Sequence, residues 1–178
     1  MPPPTTTTRA WPSELTWVGL AVAVATGLYL VVARNGLPAA SGLLGHGIGI
    51  FGFVLMLVAQ LAYSWRKHPD RAGPGPLRAW MRWHVFAGIV GPYLVLLHTA
   101  FEFRGLAGVL TLVMLVVVAS GIIGRYVYTA GAPPLEDAPA APRPLSLWYL
   151  LHVPVSAALF ALAAIHVAGV LYYSRLLR

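Results

Sequence analysis

The chain has 178 residues, of which 58% are hydrophobic and 10% are charged, whereas soluble domains carry a charged share of roughly 25%. The sequence contains no cysteine, which excludes covalent c-type haem attachment, cysteine-ligated iron–sulfur clusters and disulfides. The formal net charge is +7. We expect this positive charge to favour contact with anionic lipid rather than with nucleic acid, because of where the basic residues lie.

Five apolar segments follow one another along the chain, and each is long enough to cross a hydrocarbon layer as a helix. We place these helices at residues 15–33, 43–65, 79–103, 105–128 and 146–174. Residues 1–14, which are rich in proline and threonine, are expected to form a disordered N-terminal tail. The sequence therefore predicts an all-α fold, in which residues 15–178 form one integral membrane bundle of five transmembrane helices.

The basic residues indicate the orientation of this bundle. If the N-terminus lies on side A of the membrane, the loops alternate and eight of the twelve basic residues fall on side A: Arg9, Arg66, Lys67, Arg71, Arg78, Arg82, Arg125 and Arg143. Basic residues in short loops mark the cytoplasmic side. We therefore expect a multi-pass protein of a bacterial-type inner (plasma) membrane, with the N-terminus cytoplasmic, the C-terminus outside, membrane lipid as a partner and no nucleic acid.

Two pairs of histidines share one spacing. His84 and His98 lie 14 residues apart in the third helix, and His152 and His166 lie 14 residues apart in the fifth. Fourteen helical steps return to within about 40° of the starting direction and advance about 21 Å. Each helix therefore presents two imidazoles on one face. Because the third and fifth helices run in the same direction, His84 pairs with His152 near side A, and His98 pairs with His166 near side B.

Two histidines that face each other form the ligand set of a bis-histidine haem. We expect all four to be iron ligands of two non-covalent b haems, one near each side of the membrane. Two imidazoles leave no open position on the iron, so the expected chemistry is electron transfer rather than oxygen binding. Gly88 and Gly91, which lie between His84 and His98, leave room either for a flat macrocycle or for a close neighbouring helix.

Three more residues are candidate cofactor contacts. Arg82 and Arg125 lie near side A, where they either pair with carboxylates of the side-A haem or extend to the membrane interface. His46 lies level with His98 at side B. Three roles stay open for His46: packing or hydrogen bonding, contact with a quinone or a haem propionate, and iron ligation. The glycines around it recur at helical spacing and favour close helix packing: Gly42, Gly45, Gly49 and Gly52.

This pattern resembles the ferric reductase-like transmembrane domain, a family that includes NADPH oxidases, ferric reductases and the haem subunit of a bacterial methionine sulfoxide reductase system. The resemblance rests on WHVFAGIVGPYLVLLH (83–98), LHVPVSAALFALAAIH (151–166) and SGIIGRYVY (120–128), and it extends from residue 43 onward. It implies that the four paired histidines are axial ligands of two b haems. The sequence departs from the family in having no sixth helix and no Rossmann G-x-G-x-x-G motif.

The predicted function is therefore a b-type cytochrome subunit that carries electrons across the membrane, from a quinol or redox partner on one side to a redox partner on the other. We expect an electron-transfer subunit rather than a complete enzyme, with a cytochrome c, a flavoprotein or an iron–sulfur protein as partner. One alternative is a quinone-reactive membrane-anchor cytochrome b of a larger oxidoreductase complex. Another, from a different class, is a non-redox transporter lined by histidine or a scaffold subunit.

Overall fold

A computed structural model describes residues 13–34, 36, 38, 40–68, 74–128 and 143–176, and all regular elements within these residues are helical. The five main helices are α1 (Ser13–Ala33), α2 (Leu43–Lys67), α3 (Leu77–His98), α4 (Gly105–Ile122) and α5 (Arg143–Leu176). A π-helical segment, Ile123–Tyr128, continues α4. All five helices are long and apolar enough to cross a membrane. The predicted all-α class with five membrane-length helices is confirmed.

The outer surface of the bundle is apolar. Leu28 of α1, Phe51 of α2 and Leu150 of α5 are 65%, 63% and 69% exposed. In water such a surface would favour association, whereas lipid tails solvate leucine as well as another protein side chain does. The apolar surface therefore fits helices that face lipid, and the polar side chains must find their partners inside the bundle.

The helices α2 and α3 approach each other closely at glycines. A Cβ atom built on Gly52 would lie 2.7 Å from the Gly91 carbonyl oxygen, and one built on Gly91 would lie 2.8 Å from the Gly52 carbonyl oxygen. Glycine is what allows two backbones to come this near. The two helices run antiparallel, because Gly45 near the start of α2 meets His98 at the end of α3.

Contacts between the other helices fix their directions. The residue numbers of contact partners increase together along α1 and α3, because Glu14 contacts Arg82 and Thr26 contacts Tyr93. They change in opposite directions along α4 with its π-helical continuation and α5, because Gly124 lies against Trp148 and Ser120 contacts His152. Arg125, in the π-helical segment that continues α4, contacts Glu14 at the start of α1. The helices α1, α3 and α5 therefore begin at one end of the bundle, which corresponds to side A, and α2 and α4 begin at side B.

A small buried core occupies the middle of the bundle. It is formed by Met56 of α2, Met114 of α4 and Leu159 of α5. Leu159 lies seven residues after His152 and seven before His166, so the core lies between the two histidine levels. Residues of α3 also pack against it, including Val95.

The third helix is shorter than the sequence suggested, since α3 ends at His98 and not at residue 103. Ala100 and Phe101 have φ angles of 49° and 61°, and left-handed residues of this kind end a helix. The Thr99 hydroxyl also donates to the Leu96 carbonyl at 3.0 Å. His98 is consequently the last residue of its helix.

Other boundaries differ from the prediction as well: α2 ends at Lys67 rather than at residue 65, α3 begins at Leu77 rather than at residue 79, and α5 ends at Leu176 rather than at residue 174. The α geometry of α4 ends at Ile122 and changes to π geometry, whereas an α-helix was expected up to residue 128. α1 begins at Ser13, so residues 13 and 14 belong to a helix rather than to the predicted disordered tail. The rest of that tail, residues 1–12, lies outside the described residues. α5 begins at Arg143 rather than at residue 146.

The close contact between α2 and α3 can be tested by adding one methyl group. We expect Gly52→Ala to lower the free energy of unfolding by about 1–3 kcal/mol, because overpacking forces backbones or side chains to shift. Gly27→Ala in α1 is the control, because a Cβ there meets nothing within 4 Å. Unfolding of purified protein in detergent measures both. Equal stability of the two variants would contradict the contact.

Candidate functional site

The predicted histidine pairs lie across the space between α3 and α5. α3 packs on α1, α2 and α4, and α5 packs on α4, but within the described residues α3 and α5 make no comparable backbone contact. His84 and His152 are close enough to interact electrostatically, and His98 interacts in the same way with His46 and, more weakly, with His166. All four side chains are half-buried. The structure thus brings together the histidines that the topology pairs.

The ring of His98 is oriented by α2. Its Nδ1 atom lies 2.8 Å from the Gly45 carbonyl oxygen. A carbonyl can only accept, so Nδ1 carries the proton and the neutral ring keeps its lone pair on Nε2. Gly49 makes room for the ring, because a Cβ there would lie 2.7 Å from His98 Cγ. Within the part of the chain that is described, Nε2 makes no hydrogen bond, so His98 presents a free lone pair.

The ring of His152 is oriented by α4 in the same sense. Its Nδ1 atom lies 2.7 Å from the Ser120 hydroxyl, which in turn donates to the Val117 carbonyl at 2.8 Å. A hydroxyl has one proton, so Ser120 must accept the Nδ1 proton of His152. The lone pair of this ring is also on Nε2. The Trp148 indole stacks on the ring with 5.0 Å between centroids and a 20° interplanar angle.

The two remaining rings of the pairs make weaker polar contacts. His84 packs against Tyr63 with 5.0 Å between ring centroids. The His84 ring interacts with the Ala59 carbonyl, but its buried Nδ1 atom has no hydrogen bond of good geometry within the described residues. Leaving a buried polar atom unpaired costs about 1–3 kcal/mol. His166 makes no hydrogen bond among the described residues either.

The two glycines between His84 and His98 differ in their surroundings. Gly91 lies against Met56 and the backbone of α2, whereas a Cβ on Gly88 would meet nothing within 4 Å. Gly88 lies one helical turn after His84, on the same face. The sequence left two roles open for these glycines, namely close helix packing and room for a macrocycle. Gly91 allows close helix packing, whereas Gly88 lies beside open space.

The two candidate arginines share one buried carboxylate. Glu14 Oε2 lies 3.0 Å from Arg82 Nε, and Glu14 Oε1 lies 2.9 Å from Arg125 Nη2. The Glu14 side chain is 4% exposed, while those of Arg82 and Arg125 are 45% and 32% exposed. This ion triad ties α1, α3 and the π-helical segment together at side A. Glu14 was not predicted as a site residue, because it was expected to belong to the N-terminal tail.

His46 bonds to its own helix. Its Nδ1 atom lies 3.1 Å from the Gly42 carbonyl oxygen, and its ring centroid lies 6.2 Å from that of His98. An open groove of about 610 Å³ lies nearby, between the end of α1 and the start of α2, and its described lining residues include Val31, Gly42 and Leu44. None of these lining residues has a polar side chain, so the described part of the groove offers a quinone no side-chain hydrogen bond.

Neither a metal-binding group among the described residues nor a comparison with known proteins assigns a function to the chain. Among the described residues, no group of three or more histidine or acidic side chains is arranged to hold a metal ion. A haem requires only two protein ligands, since the porphyrin supplies the other four. Comparisons with protein-family models, curated proteins and solved structures find no match for this chain. Its function must therefore be argued from the site itself.

The ion triad provides a test of how side A is held together. We expect Glu14→Gln to lower the free energy of unfolding by about 1–3 kcal/mol, because hydrogen bonds to a charged group are lost in a buried position. Glu102→Gln is the matched control, since Glu102 is exposed in the turn that follows α3. Thermal unfolding in detergent compares the two. A Glu14→Gln protein that unfolds at the temperature of the control would contradict a stabilising triad.

Proposed function

We propose that this chain is a di-haem b-type cytochrome subunit that passes single electrons across a membrane. The observation that supports the proposal most directly is the arrangement of two imidazole pairs, one near each side, across the space between α3 and α5. In each pair one ring has its Nδ1 proton bound by a neighbouring helix and its Nε2 atom free of hydrogen bonds among the described residues.

The hydrogen bonds of His98 and His152 are those expected of metal ligands. A ligating histidine usually donates its other ring N–H to a carbonyl, carboxylate or similar acceptor, which fixes the ring orientation and raises the basicity of the coordinating nitrogen. Among the described residues, His46 also bonds through Nδ1 alone, so His98 and His152 are distinguished by the histidine that each has on the opposite helix, across the space between α3 and α5. The residues therefore fit an axial-ligand role.

The rest of the bundle suits a pair of such sites. The ligands within each helix are 14 residues apart, which is about 21 Å along the axis. Between the two levels, Met56, Met114 and Leu159 fill the centre with apolar side chains, which exclude water and ions from the path. Open space beside Gly88 leaves room for a macrocycle. When bound, haem supplies reversible one-electron transfer between its ferric and ferrous states.

The resemblance to the ferric reductase-like transmembrane domain supports the same role for His84, His98, His152 and His166. Arg82 and Arg125 stay proposed contacts of the carboxylates of the side-A haem, with Glu14 fixing the positions of both guanidinium groups. For His46, the hydrogen bond to Gly42 favours a role in packing and hydrogen bonding beside the side-B pair.

The proposal includes a location and partners. We place the protein in a bacterial-type inner membrane with its N-terminus in the cytoplasm, because most basic residues then lie on the cytoplasmic side. Electrons would enter from a quinol or a protein partner and leave to a protein partner, such as a cytochrome c, a flavoprotein or an iron–sulfur protein. In this role the chain acts as a subunit of an oxidoreductase complex.

Replacing the histidines one at a time tests the ligand assignment. We expect His84→Ala and His152→Ala each to remove the same one of two haems, and His98→Ala and His166→Ala each to remove the other, because a bis-histidine site needs both rings. The pyridine haemochrome assay measures the number of haems bound per chain.

His46→Ala and His68→Ala are the controls, and both should keep two haems. His68 is exposed at the end of α2, so its replacement tests whether loss of any histidine disturbs the protein. If His46→Ala also loses the side-B haem, then His46 is a ligand and the assignment of side B is wrong. If no variant changes the haem content, the four histidines are not ligands, and a transport or scaffold role becomes the better account.

A further inference from the structure

Small residues of α4 and of the π-helical segment that continues it pack against two rings of α5 and form a seat for them. A Cβ on Gly121 would lie 3.4 Å from His152 Cε1, and a Cβ on Gly124 would overlap the Trp148 indole. Ser120 lies one turn before Gly124, on the same side of the helix. The α geometry of α4 changes to π geometry at Ile123, within this seat, and π segments of this kind occur frequently at functional sites.

Ser120 contacts both rings, through different atoms. Its backbone carbonyl accepts a hydrogen bond from Trp148 Nε1 at 2.6 Å, and its hydroxyl accepts one from His152 Nδ1 at 2.7 Å. The hydroxyl proton is directed to the Val117 carbonyl. The indole lies over the face of His152, so the imidazole is held at one edge by Ser120 and on one face by Trp148.

We propose that Ser120 is a positioning residue that sets the electron-donating strength of His152 and thereby the midpoint potential of the side-A haem. This inference rests on the proposed function. An acceptor on Nδ1 raises the basicity of a coordinating imidazole, and a more basic ligand stabilises ferric over ferrous iron, which lowers the potential. The onward hydrogen bond to Val117 fixes the hydroxyl as an acceptor toward His152.

The two sides of the membrane differ in the group that accepts the hydrogen bond from histidine Nδ1. At side B the acceptor for His98 is the backbone carbonyl of Gly45, which no side-chain replacement removes. At side A the acceptor is a side chain. A single substitution at Ser120 should therefore change one of two potentials and leave the other unchanged, while the bond between Trp148 and the Ser120 carbonyl is retained.

The first test is a potentiometric titration of haem-loaded protein followed at the visible absorption bands. We expect Ser120→Ala to keep two haems and to move one midpoint potential to a more positive value. Ser120→Cys should do the same, because a thiol is a weak acceptor of similar size, and it serves if the alanine variant does not fold. Ser120→Thr retains the hydroxyl and should restore the original potential.

Ser156→Ala is the matched control. Ser156 is a buried serine that also contacts His152, but its hydroxyl donates to the backbone carbonyl of that residue at 2.7 Å and not to the ring. We expect both potentials to be unchanged in this variant. Two haems with unchanged potentials in Ser120→Ala or Ser120→Cys would overturn the proposal, and so would equal shifts of both potentials.

A second measurement does not need haem. In haem-free protein labelled with ¹⁵N-histidine, His152 should be held as the Nδ1–H tautomer, and the ¹⁵N shifts should report a mixture of tautomers in Ser120→Ala. An unchanged tautomer in that variant would show that Ser120 does not orient the ring. Wild-type protein that binds no haem would overturn the proposed function alone, and the tautomer measurement would still decide whether Ser120 positions His152.

Discussion

The hydrogen bond from a histidine ring to the neighbouring helix is the interaction on which this bundle depends. Inside a membrane no water is available to satisfy an imidazole N–H. His98 reaches the Gly45 carbonyl only because Gly49 leaves room for its ring, and His152 reaches the Ser120 hydroxyl across a seat of small residues. Close packing of α2 on α3, and of α4 on α5, is therefore a condition for orienting one ring at each side.

Each of these two helix pairs orients one histidine of the candidate site. Each pair buries glycines and fixes one histidine, and the helices α3 and α5, which carry the paired histidines, lie without the close backbone contact seen within the pairs. The buried core of Met56, Met114 and Leu159 holds the pairs together at mid-depth. The spacing between α3 and α5 is thus set by their neighbours.

Much of this arrangement could be predicted from the sequence, because it depends on the length of apolar runs and on helical spacing. Long apolar runs predicted the five helices, the 14-residue spacing put His84 and His98 on one face, and alternation of helix direction predicted the pairing with α5. The roles of Glu14 and Ser120 could not be found in this way, since each depends on a contact with residues far along the chain. The end of α3 at His98 could not be predicted either, because left-handed φ angles such as those of Ala100 and Phe101 are uncommon for these residue types.

The most direct test of the central claim is the haem content of the purified wild-type protein, expressed with haem available and examined by its reduced-minus-oxidised visible spectrum. The account predicts two haems per chain, both low-spin and of b type, as bis-histidine ligation requires. A colourless protein, or one that keeps two haems after both members of one histidine pair are replaced, would contradict it.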